Sequence, residues 1–439
     1  MTSQKKNYVL PIAIMFALFF MIAFVTGYQN PLGDTIKKMT GDNMIMSQLG
    51  TLANFIAYAV MGLPAGLLLK KYGYRITALT AVTVGFIGVA ITYASGFIGD
   101  NSTAVTIYIL GAFVAGFSMC MLNTVVNPML NSLGKDQKQG NQLVQFGGSC
   151  NSLGATLAPV IVGGLIGGAA STISSANPVF YMAMAIFLVA FLVLYFTKLP
   201  EPKTLGEKNN NVKTFGAFKY RNFVFGILAI FCYVGVEVGM ANITTQYLNN
   251  DSLVSASTGA SSLAIAGSVC GVYWLLMLVG RLVGGAIGGS VSSRAMLTFT
   301  TAVAIILIAL GICLGQSPAP FFGFDASKFE FFSCTIPVNA ICFICVGLCT
   351  SVMWGAIFNL SVEGLGKYTD VASGLFMVMV CGGGIFPLIQ ASIPDILNSF
   401  WLPAGLCFYM LIYALFLSYP SKKNLGDEHV YENNKRVEA

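Results

Sequence analysis

The sequence predicts an all-α membrane protein with twelve transmembrane helices in two pseudo-symmetric halves of six. Its composition, its apolar stretches and an internal repeat predict this class. Of the 439 residues, 56% are hydrophobic and 9% are charged, whereas about a quarter of the residues of a soluble domain are charged. This chain has too little polar surface for a soluble globule. The composition therefore excludes a soluble enzyme, a nucleic-acid-binding protein and a disordered scaffold, despite the net charge of +6.

Apolar stretches long enough to cross a bilayer recur along the chain. A hydrocarbon core of about 30 Å needs about 20 apolar helical residues. The predicted spans are residues 8–29, 46–69, 75–96, 105–131, 141–168, 177–198, 222–248, 260–289, 294–314, 336–362, 370–393 and 398–419. Because small residues let membrane helices approach each other, we expect the 48 glycines to serve close helix packing rather than loops.

Lys and Arg in the connecting loops predict the orientation. If both termini are cytoplasmic, only Lys37, Lys38 and Lys328 of the 23 basic residues fall on the outer face, as the positive-inside rule requires. We therefore expect a multi-pass protein of the cell (inner) membrane, surrounded by lipid and without a nucleic-acid partner. The first span is too long for a signal peptide and lacks a cleavage site, so it is expected to remain as a helix.

A hydrophilic stretch and an internal echo divide the chain into two halves. The segments 127–134 and 359–366 both begin with Asn and end with Gly, and the Asn30-Pro31 pair is repeated at Asn127-Pro128. These segments occupy equivalent places when each half is divided into three plus three helices. The predicted parts are an N-terminal half at 1–199, a cytoplasmic linker at 200–220, a C-terminal half at 221–420 and a cytoplasmic tail at 421–439.

The predicted inner loops carry a glycine-rich basic pattern. The loop from Gly66 to Arg75 resembles the one that follows the second helix in the major facilitator superfamily, although Lys70 stands where that motif has an acidic residue. The loop from Gly280 to Arg294 is similar. The resemblance implies the major facilitator fold, with Lys70, Arg75 and Arg281 as gate residues of the inner face. Ordinary positive-inside charge is the alternative, above all for Lys70.

Within this superfamily, the chain resembles the family of L-fucose:proton symporters and glucose/galactose transporters, which includes a sodium-dependent glucose branch. The similar motifs run in order along nearly the whole chain. They are Leu63-Pro-Ala-Gly66, Asn123-Thr-Val-Val-Asn127-Pro128, Asn151-Ser-Leu-Gly154, Tyr233-Val-Gly-Val-Glu237, Gly280-Arg281 and Gly382-Gly-Gly384 through Pro387. The resemblance implies uptake of a monosaccharide by alternating access between the two halves.

Two departures from the fucose symporters concern the coupling ion. Those symporters carry acidic residues in helices 1 and 4, and the matching positions here are the amides Asn30 and Asn123. Asp34 lies one turn beyond Asn30 and would replace the first acid if the helix register shifts. The alternative is a solvated cap at the outer end of the span. Proton coupling through the fucose-type pair is therefore not expected.

One carboxylate is left deep inside a predicted span. Of the 17 acidic residues, Glu237 alone has this position, where a charge costs about 2.5 kcal/mol or more on insertion scales. It is predicted to couple transport by binding a proton or sodium, to hydrogen-bond a sugar, or to partner a nearby amide. The one histidine, His429, lies in the tail, which excludes a histidine relay. The 11 cysteines are scattered, so no metal site is predicted.

Side-chain amides and aromatic rings supply what a neutral sugar needs, namely hydrogen-bonding groups for its hydroxyls and flat apolar platforms. The predicted sugar-binding residues, with Glu237, are Asn30, Asn54, Tyr58, Asn123, Gln145, Asn151, Tyr233, Asn242, Gln246, Trp354, Asn359 and Gln390. Amides that merely join helices are the alternative for each of them. No Arg or Lys is expected away from the inner face, which argues against a phosphorylated or carboxylate sugar.

The favoured function is therefore import of a neutral hexose by cation-coupled symport. Sodium is placed slightly ahead of the proton, because Glu237 would be the one charged ligand of a site otherwise built from neutral oxygens. A multidrug or organic-cation exporter of the same fold is the alternative, with Glu237 attracting the drug. The sequence indicates neither an enzyme nor a cofactor, and a monomer is expected, as is usual in the family that the chain resembles.

Overall fold

The computed structural model describes residues 8–134, 137–166, 172–197, 199–200, 216–256, 260–287, 291–325, 329–365 and 375–419, without the side chains of residues 30, 70, 131, 137–142, 145 and 325. The described part is mainly helical. Its helices are α1 (Val9–Gly27), α2 (Gln29–Met39), α3 (Met44–Ser95), α4 (Asn101–Leu133), α5 (Gln137–Ile166), α6 (Asn177–Phe196), α7 (Arg221–Leu248), α8 (Ser262–Ile287), α9 (Ser293–Cys313), α10 (Val338–Thr350), α11 (Met353–Val362), α12 (Gly382–Ala391) and α13 (Trp401–Ile412). Single helical turns lie at Ile173–Ala176, Gly216–Lys219, Asn398–Phe400 and Tyr413–Leu417.

The predicted number of membrane helices is confirmed. Within the described residues, 11 helical stretches are long and apolar enough to cross a membrane, and Leu375–Ala391 adds a shorter apolar helix in the place of the predicted span 370–393. Residues 366–374, where that span begins, lie outside the described part, as do most of the linker and the tail beyond residue 419. We call the face that Lys and Arg predict to be cytoplasmic the inner face, and the opposite one the outer face.

The second and third predicted spans follow each other without a loop. Helix α3 runs through both, and the chain bends at Gly73, whose φ of 79° and ψ of 177° are not helical. Side chains other than hydrogen are strained in this region of the backbone map. The bend lets Arg75 donate to the carbonyl oxygens of Leu194, at 3.3 Å, and of Tyr195. The bend of α3, on the inner face, is thereby attached to α6 of the same half.

Among the described residues, the first and the tenth membrane helices are interrupted beside the space between the halves. The first breaks between α1 and α2 at Tyr28, and the tenth breaks between α10 and α11 at residues 351–352. Gly27 and Ser351, which lie at the two breaks, both line the central cavity. Interrupted helices are typical of transporter binding sites, because they expose polar backbone to a cavity rather than to lipid.

The two halves meet through closely packed glycines. Helix α5 packs against α8, and α3 packs against α12. A Cβ on Gly267 would lie 2.5 Å from the Pro159 carbonyl oxygen, and one on Gly384 would lie 2.8 Å from the Leu52 Cα. No real side chain tolerates such distances, so the helices at these contacts could not approach as closely without glycine. The expectation that glycine serves helix packing is confirmed here.

A small β-sheet on the outer face was not predicted from the sequence. Strands β2 (Pro318–Asp325) and β3 (Glu330–Pro337) form an antiparallel hairpin, and β1 (Ser255–Ala256) pairs with the other edge of β3. The Ser268 hydroxyl donates to the Phe324 carbonyl and accepts from the Phe324 N–H, both at 3.1 Å. These two bonds attach the hairpin to the outer part of α8.

Candidate substrate-binding site

A cavity of about 280 Å³ lies between the two halves, near the middle of the predicted membrane spans. This volume is just below the range of roughly 300–1,000 Å³ that is typical of drug-sized ligands. Its polar and aromatic lining comes from α1 to α5 on one side. On the other side it comes from α7, α8, residues 351–355 and residues 377–380. These lining residues include Phe19, Thr26, Gln29, Thr51, Phe55, Tyr58, Asn123, Asn127, Asn151, Glu237, Asn242, Trp274, Arg281 and Trp354.

The wall from the N-terminal half presents amides whose orientations are fixed by hydrogen bonds. Asn123 donates through Nδ2 to the Tyr58 hydroxyl and to the Met119 carbonyl, both at 3.1 Å. Asn151 donates to the Phe19 carbonyl at 3.1 Å. Both N–H groups of Asn123 are engaged within the protein, so its Oδ1 atom is the group that it can offer a ligand. Asn151 uses one N–H group in this way and can offer the other, as well as its Oδ1 atom.

The wall from the C-terminal half carries an ion pair and an aromatic pair. The Arg281 Nη2 atom lies 3.5 Å from the Glu237 Oε1 atom, and each side chain is 15% exposed. The buried ring of Tyr233 lies beside them and meets the Trp354 ring edge-on, at 6.1 Å between centroids. Trp354 lines the cavity, so its ring is placed to contact a ligand while Tyr233 supports it from behind.

Arg281 also joins the two halves. Its Nη1 atom donates to the Gly148 carbonyl at 2.8 Å and to the Ser152 hydroxyl at 2.7 Å, both on α5. The expectation that no Arg or Lys reaches the site is therefore wrong. Arg281 was expected to lie at the inner face near the end of its helix. It lies on α8, which ends at Ile287, and its long side chain extends from there into the cavity. Its predicted role as an inner gate is untested.

The lining of the cavity is electrically balanced. Among its described lining residues, Glu237 and Arg281 are the charged ones, and they neutralise each other. Burying either charge alone would cost several kcal/mol. Removing one partner of such a pair is therefore destabilising, because the other charge is left buried without compensation. Glu237 is therefore not the isolated carboxylate that the sequence suggested.

A second set of predicted amides closes the outer end of the cavity. Asn242 lines the cavity and donates to Gln48 Oε1 at 3.1 Å and to Thr51 Oγ1 at 3.3 Å. Gln246 donates to the Ser47 hydroxyl at 2.6 Å. These three hydrogen bonds, which we call the outer seal, connect α7 of one half to the first two turns of α3 in the other. The structure is therefore closed on its outer side.

Other predicted residues are not brought to the cavity. Asn54 donates to the Ala112 carbonyl at 3.5 Å within its own half, and Gln390 donates to Ser399 at 3.4 Å. Asn359 is exposed near the inner end of α11, with Ser293 3.4 Å away. These contacts fit amides that join helices. The side chains of Asn30, Gln145 and Lys70 lie outside the described part.

Sequence reasoning missed several cavity residues. Asn127 was noted as part of the repeat, yet it lines the cavity and donates to the Asn123 carbonyl at 2.9 Å. Trp274 and Phe55 also line it. An aromatic residue in an apolar span can face either a cavity or a packed neighbour. The sequence of one chain does not distinguish these two cases, so it could not identify Trp274 and Phe55.

The interpretation of Asp34 as a solvated cap is wrong. Its side chain is only 2% exposed. The helical chain does not end where the first span was expected to end. It continues as α2, which packs on α3 and α7 and covers the carboxylate. Among the described residues no cluster of three or more His, Cys, Asp or Glu could hold a metal ion.

Known proteins resemble this chain over almost its full length. The family model of the Major Facilitator Superfamily matches residues 13–388. A glucose/galactose transporter of Brucella abortus is 28% identical over 94% of this chain and 95% of its own, and the L-fucose-proton symporter of Escherichia coli is 22% identical over 94% of both chains. The crystal structure of the E. coli fucose:proton symporter has a TM-score of 0.65 at 19% identity and covers 94% of this chain and all of that one. A D-xylose-proton symporter has a TM-score of 0.70 at 13% identity, covering 95% of this chain and 99% of that one. With twelve apolar helices around a central cavity, the chain belongs to the Major Facilitator Superfamily.

Proposed function

We propose that this protein imports a neutral monosaccharide, a hexose, by cation-coupled symport across the inner membrane of a bacterial cell, with both termini in the cytoplasm. The observation that carries the proposal is the lining of the central cavity. Side-chain amides and aromatic rings surround it, and its charged lining residues among those described are the mutually neutralised Glu237 and Arg281. Such a site favours an uncharged polar ligand over an ion.

The arrangement of donors and acceptors suits a sugar ring. Asn123 has both of its N–H groups engaged, so its Oδ1 atom would accept a hydrogen bond from a sugar hydroxyl. Asn151 would accept through Oδ1 and donate through its second N–H group. Trp274 of α8 and Trp354 of α11 both line the cavity, and their rings would contact the apolar faces of the sugar. The carboxylate of Glu237 and the guanidinium of Arg281 would form hydrogen bonds with the remaining hydroxyls of the sugar, since charged groups make the strongest hydrogen bonds.

The relatives support a hexose as the substrate class. Two glucose/galactose transporters are 28% identical to this chain over 94% of its length, whereas the fucose symporter of E. coli is 22% identical. Alternating access would proceed between the present state, which is closed by the outer seal, and an outer-open state in which the seal is broken. Transport would then require the hydrogen bonds of Asn242 and Gln246 to break and form in each cycle.

Sodium remains the proposed coupling ion, slightly ahead of the proton. Asn30 and Asn123 replace the two carboxylates that the fucose symporters have at the matching positions, so the fucose-type proton acceptors are missing. Glu237 is the proposed coupling residue of the cavity. Because Arg281 already neutralises it, a cation at Glu237 would have to displace the guanidinium, and this would also loosen the contact of Arg281 with α5.

Uptake by the purified protein tests the proposal. Labelled glucose and galactose would be supplied to proteoliposomes under a sodium gradient alone, a pH gradient alone, or neither. Accumulation under sodium alone supports the proposal in full, and accumulation under pH alone refutes the choice of sodium. Thermal stabilisation by lipophilic cations but not by hexoses would instead support the alternative, an organic-cation exporter.

A further inference from the structure

The hairpin of β2 and β3 has one buried side and one exposed side. Successive side chains of a strand point to opposite faces. In β3, Phe332 and Cys334 are buried, whereas Phe331 between β-bonded neighbours is 81% exposed. In β2, Phe322 is paired with Ser333, two residues from Phe331, so it lies on the same face, and it is 76% exposed. The rings of this side, which we call the aromatic face, are those of Phe322, Phe324, Phe329 and Phe331.

The aromatic face is continuous and uncharged. The Phe324 ring lies 5.1 Å from that of Phe331 and 5.4 Å from that of Phe329, between centroids. Phe329 is itself 84% exposed. The exposed Glu330, at the start of β3, alternates to the opposite face. A contiguous exposed apolar patch of this kind marks a surface that contacts a protein or a membrane.

The hairpin is attached to the lipid-facing side of α8, through the two hydrogen bonds of Ser268. With 3.6 residues per turn, Ser268 is within about 20° of Leu275 and of Val279 around the helix axis, and those two apolar side chains are each 43% exposed. Trp274 and Arg281, which line the cavity, lie more than about 100° away around the same axis. Ser268 therefore continues the stripe of α8 that faces lipid.

This attachment lies near the outer boundary of the hydrocarbon core. Ser268 belongs to the second turn of the 26-residue helix α8, so about 9 Å of helix lies beyond it on the outer side. The core needs about 20 residues of a helix, which leaves about three residues beyond it at each end of α8. The stretch from Leu263 to Gly271 is buried on all its sides. The hairpin thus covers the lipid-facing stripe at this depth, and the aromatic face is the surface that it adds there.

The free edge of β2 is unsuited to pairing with another strand. The Val338 N–H donates to the Ser317 carbonyl at 2.8 Å, and hydrogen-bonded pairs alternate along an antiparallel ladder, so the even-numbered residues of β2 direct their backbone groups to the free edge. Pro318 and Pro320 have no N–H, and the N–H of Phe324 is used by α8. Prolines of this kind block strand addition. A partner of the hairpin would therefore contact the rings and not the edge.

We infer that the aromatic face docks into the outer leaflet of the bilayer, where its rings contact the acyl chains just below the headgroups. The face is uncharged, and it continues the surface that α8 presents to lipid. Its depth suits the carbonyl groups of the free edge, which water and headgroups can reach at the interface but not inside the hydrocarbon core. Because α8 packs against α5 of the other half, the hairpin would anchor the outer end of this contact to the leaflet.

The test places one tryptophan on the aromatic face and another in water. Phe331→Trp and Asp251→Trp would be compared in phosphatidylcholine vesicles whose acyl chains carry bromine, which quenches tryptophan fluorescence, either near the headgroup or near the chain end. Subtracting the wild-type emission removes the three native tryptophans. Asp251 is exposed in the loop after α7, so its variant should be quenched by acrylamide in the water and not by bromine. We expect the added emission of Phe331→Trp to lie at shorter wavelength, to resist acrylamide, and to be lost more with shallow than with deep bromine.

Quenching of Phe331→Trp by acrylamide to the same extent as Asp251→Trp would overturn the inference, because the face would then lie in water. Protection from both acrylamide and bromine would also overturn it, since a protein such as a second copy of this chain would then cover the face. If Phe331→Trp does not fold, Phe322→Trp on the neighbouring strand serves the same test. The measurement needs neither sugar nor an ion gradient, so it is independent of the proposed function.

Discussion

Replacing Glu237 with Gln removes one charge and leaves the shape of the side chain. The variant keeps an oxygen that Arg281 can still approach, so the loss is the charge alone. The guanidinium would then lie largely buried, with the Gly148 carbonyl and the Ser152 hydroxyl as its remaining partners. We expect the protein to fold, and concentrative uptake to be abolished, because the residue that balances Arg281 is also the proposed coupling residue.

The size of the effect on stability follows from the geometry of the pair. At the 3.5 Å between Nη2 and Oε1, two unit charges attract by about 5 kcal/mol in a medium of effective dielectric constant near 20. Part of this attraction only offsets the desolvation of the two groups, and each side chain keeps 15% of its exposure. Breaking a buried pair costs about 3–5 kcal/mol when one partner is removed. Since Gln retains an acceptor, we expect a decrease of about 2–3 kcal/mol in the free energy of unfolding, somewhat below that range.

A double-mutant cycle measures the pair directly. The free energies of unfolding of the wild type, Glu237→Gln, Arg281→Gln and the double variant would be compared by titration with SDS in mixed micelles. The double variant leaves no unpaired charge, so it should be more stable than the sum of the single effects implies, with a coupling energy of about 1–3 kcal/mol. It should regain part of the lost stability because no charge is left unpaired, and it should still fail to concentrate sugar because the proposed coupling residue is absent.

Additive single effects, within about 0.5 kcal/mol, would show that the two groups do not interact and would refute the reasoning from the geometry. Wild-type accumulation by Glu237→Gln would refute its role in coupling even if the stability result holds. The two measurements therefore separate a structural ion pair from a functional one.

Three further predictions concern the platform, the seal and the bend. Trp354→Ala should raise the apparent KM for hexose by about tenfold, and Trp354→Phe by less, because an aromatic contact contributes about 0.5–1.5 kcal/mol; equal KM values in uptake assays would contradict the stacking role. Asn242→Ala removes two hydrogen bonds of the outer seal, each contributing about 1 kcal/mol, and should speed hydrogen exchange over residues 47–51, whereas unchanged exchange would show that the seal does not hold the closed state. Gly73→Ala should lower the free energy of unfolding by about 1–3 kcal/mol through backbone strain, whereas Gly66→Ala, with open space around its Cβ position, should not; equal effects in SDS titrations would exclude strain at Gly73.

The fold could be predicted because hydrophobic length is a property of short segments. Helix α7 was expected at 222–248 and is found at Arg221–Leu248. The agreement is close because polar residues on both sides of this apolar stretch mark its ends in the sequence. The hairpin of β2 and β3 could not be predicted in this way. Its pairing depends on contacts between strands and on the attachment of Phe324 to Ser268, and neither leaves a periodic signal in a short connection.

The candidate site could be predicted in part, and its errors have one physical cause. Glu237, Asn123 and Trp354 were identified because polar or aromatic residues are conspicuous within an apolar span, and all three line the cavity. Arg281 and Asp34 were misplaced because both lie near predicted span ends, where sequence alone suggests solvent. A side chain near a helix end is exposed or buried according to what packs there, and that is decided by the other half of the molecule.

The two buried carboxylates, Glu237 and Asp34, differ in how their charge is balanced. Glu237 has its counter-ion inside the protein, and that counter-ion, Arg281, also contacts the opposite half. The pair can therefore respond to a neutral sugar in the cavity without the import of any charge. Asp34 is buried with no charged partner across the interface among the described residues, and its polar neighbour from the other half, the side chain of Asn249, is neutral. The charge of Glu237 is therefore balanced within the protein, and a coupling cation at this residue would act by releasing Arg281 from the pair and from its contact with α5.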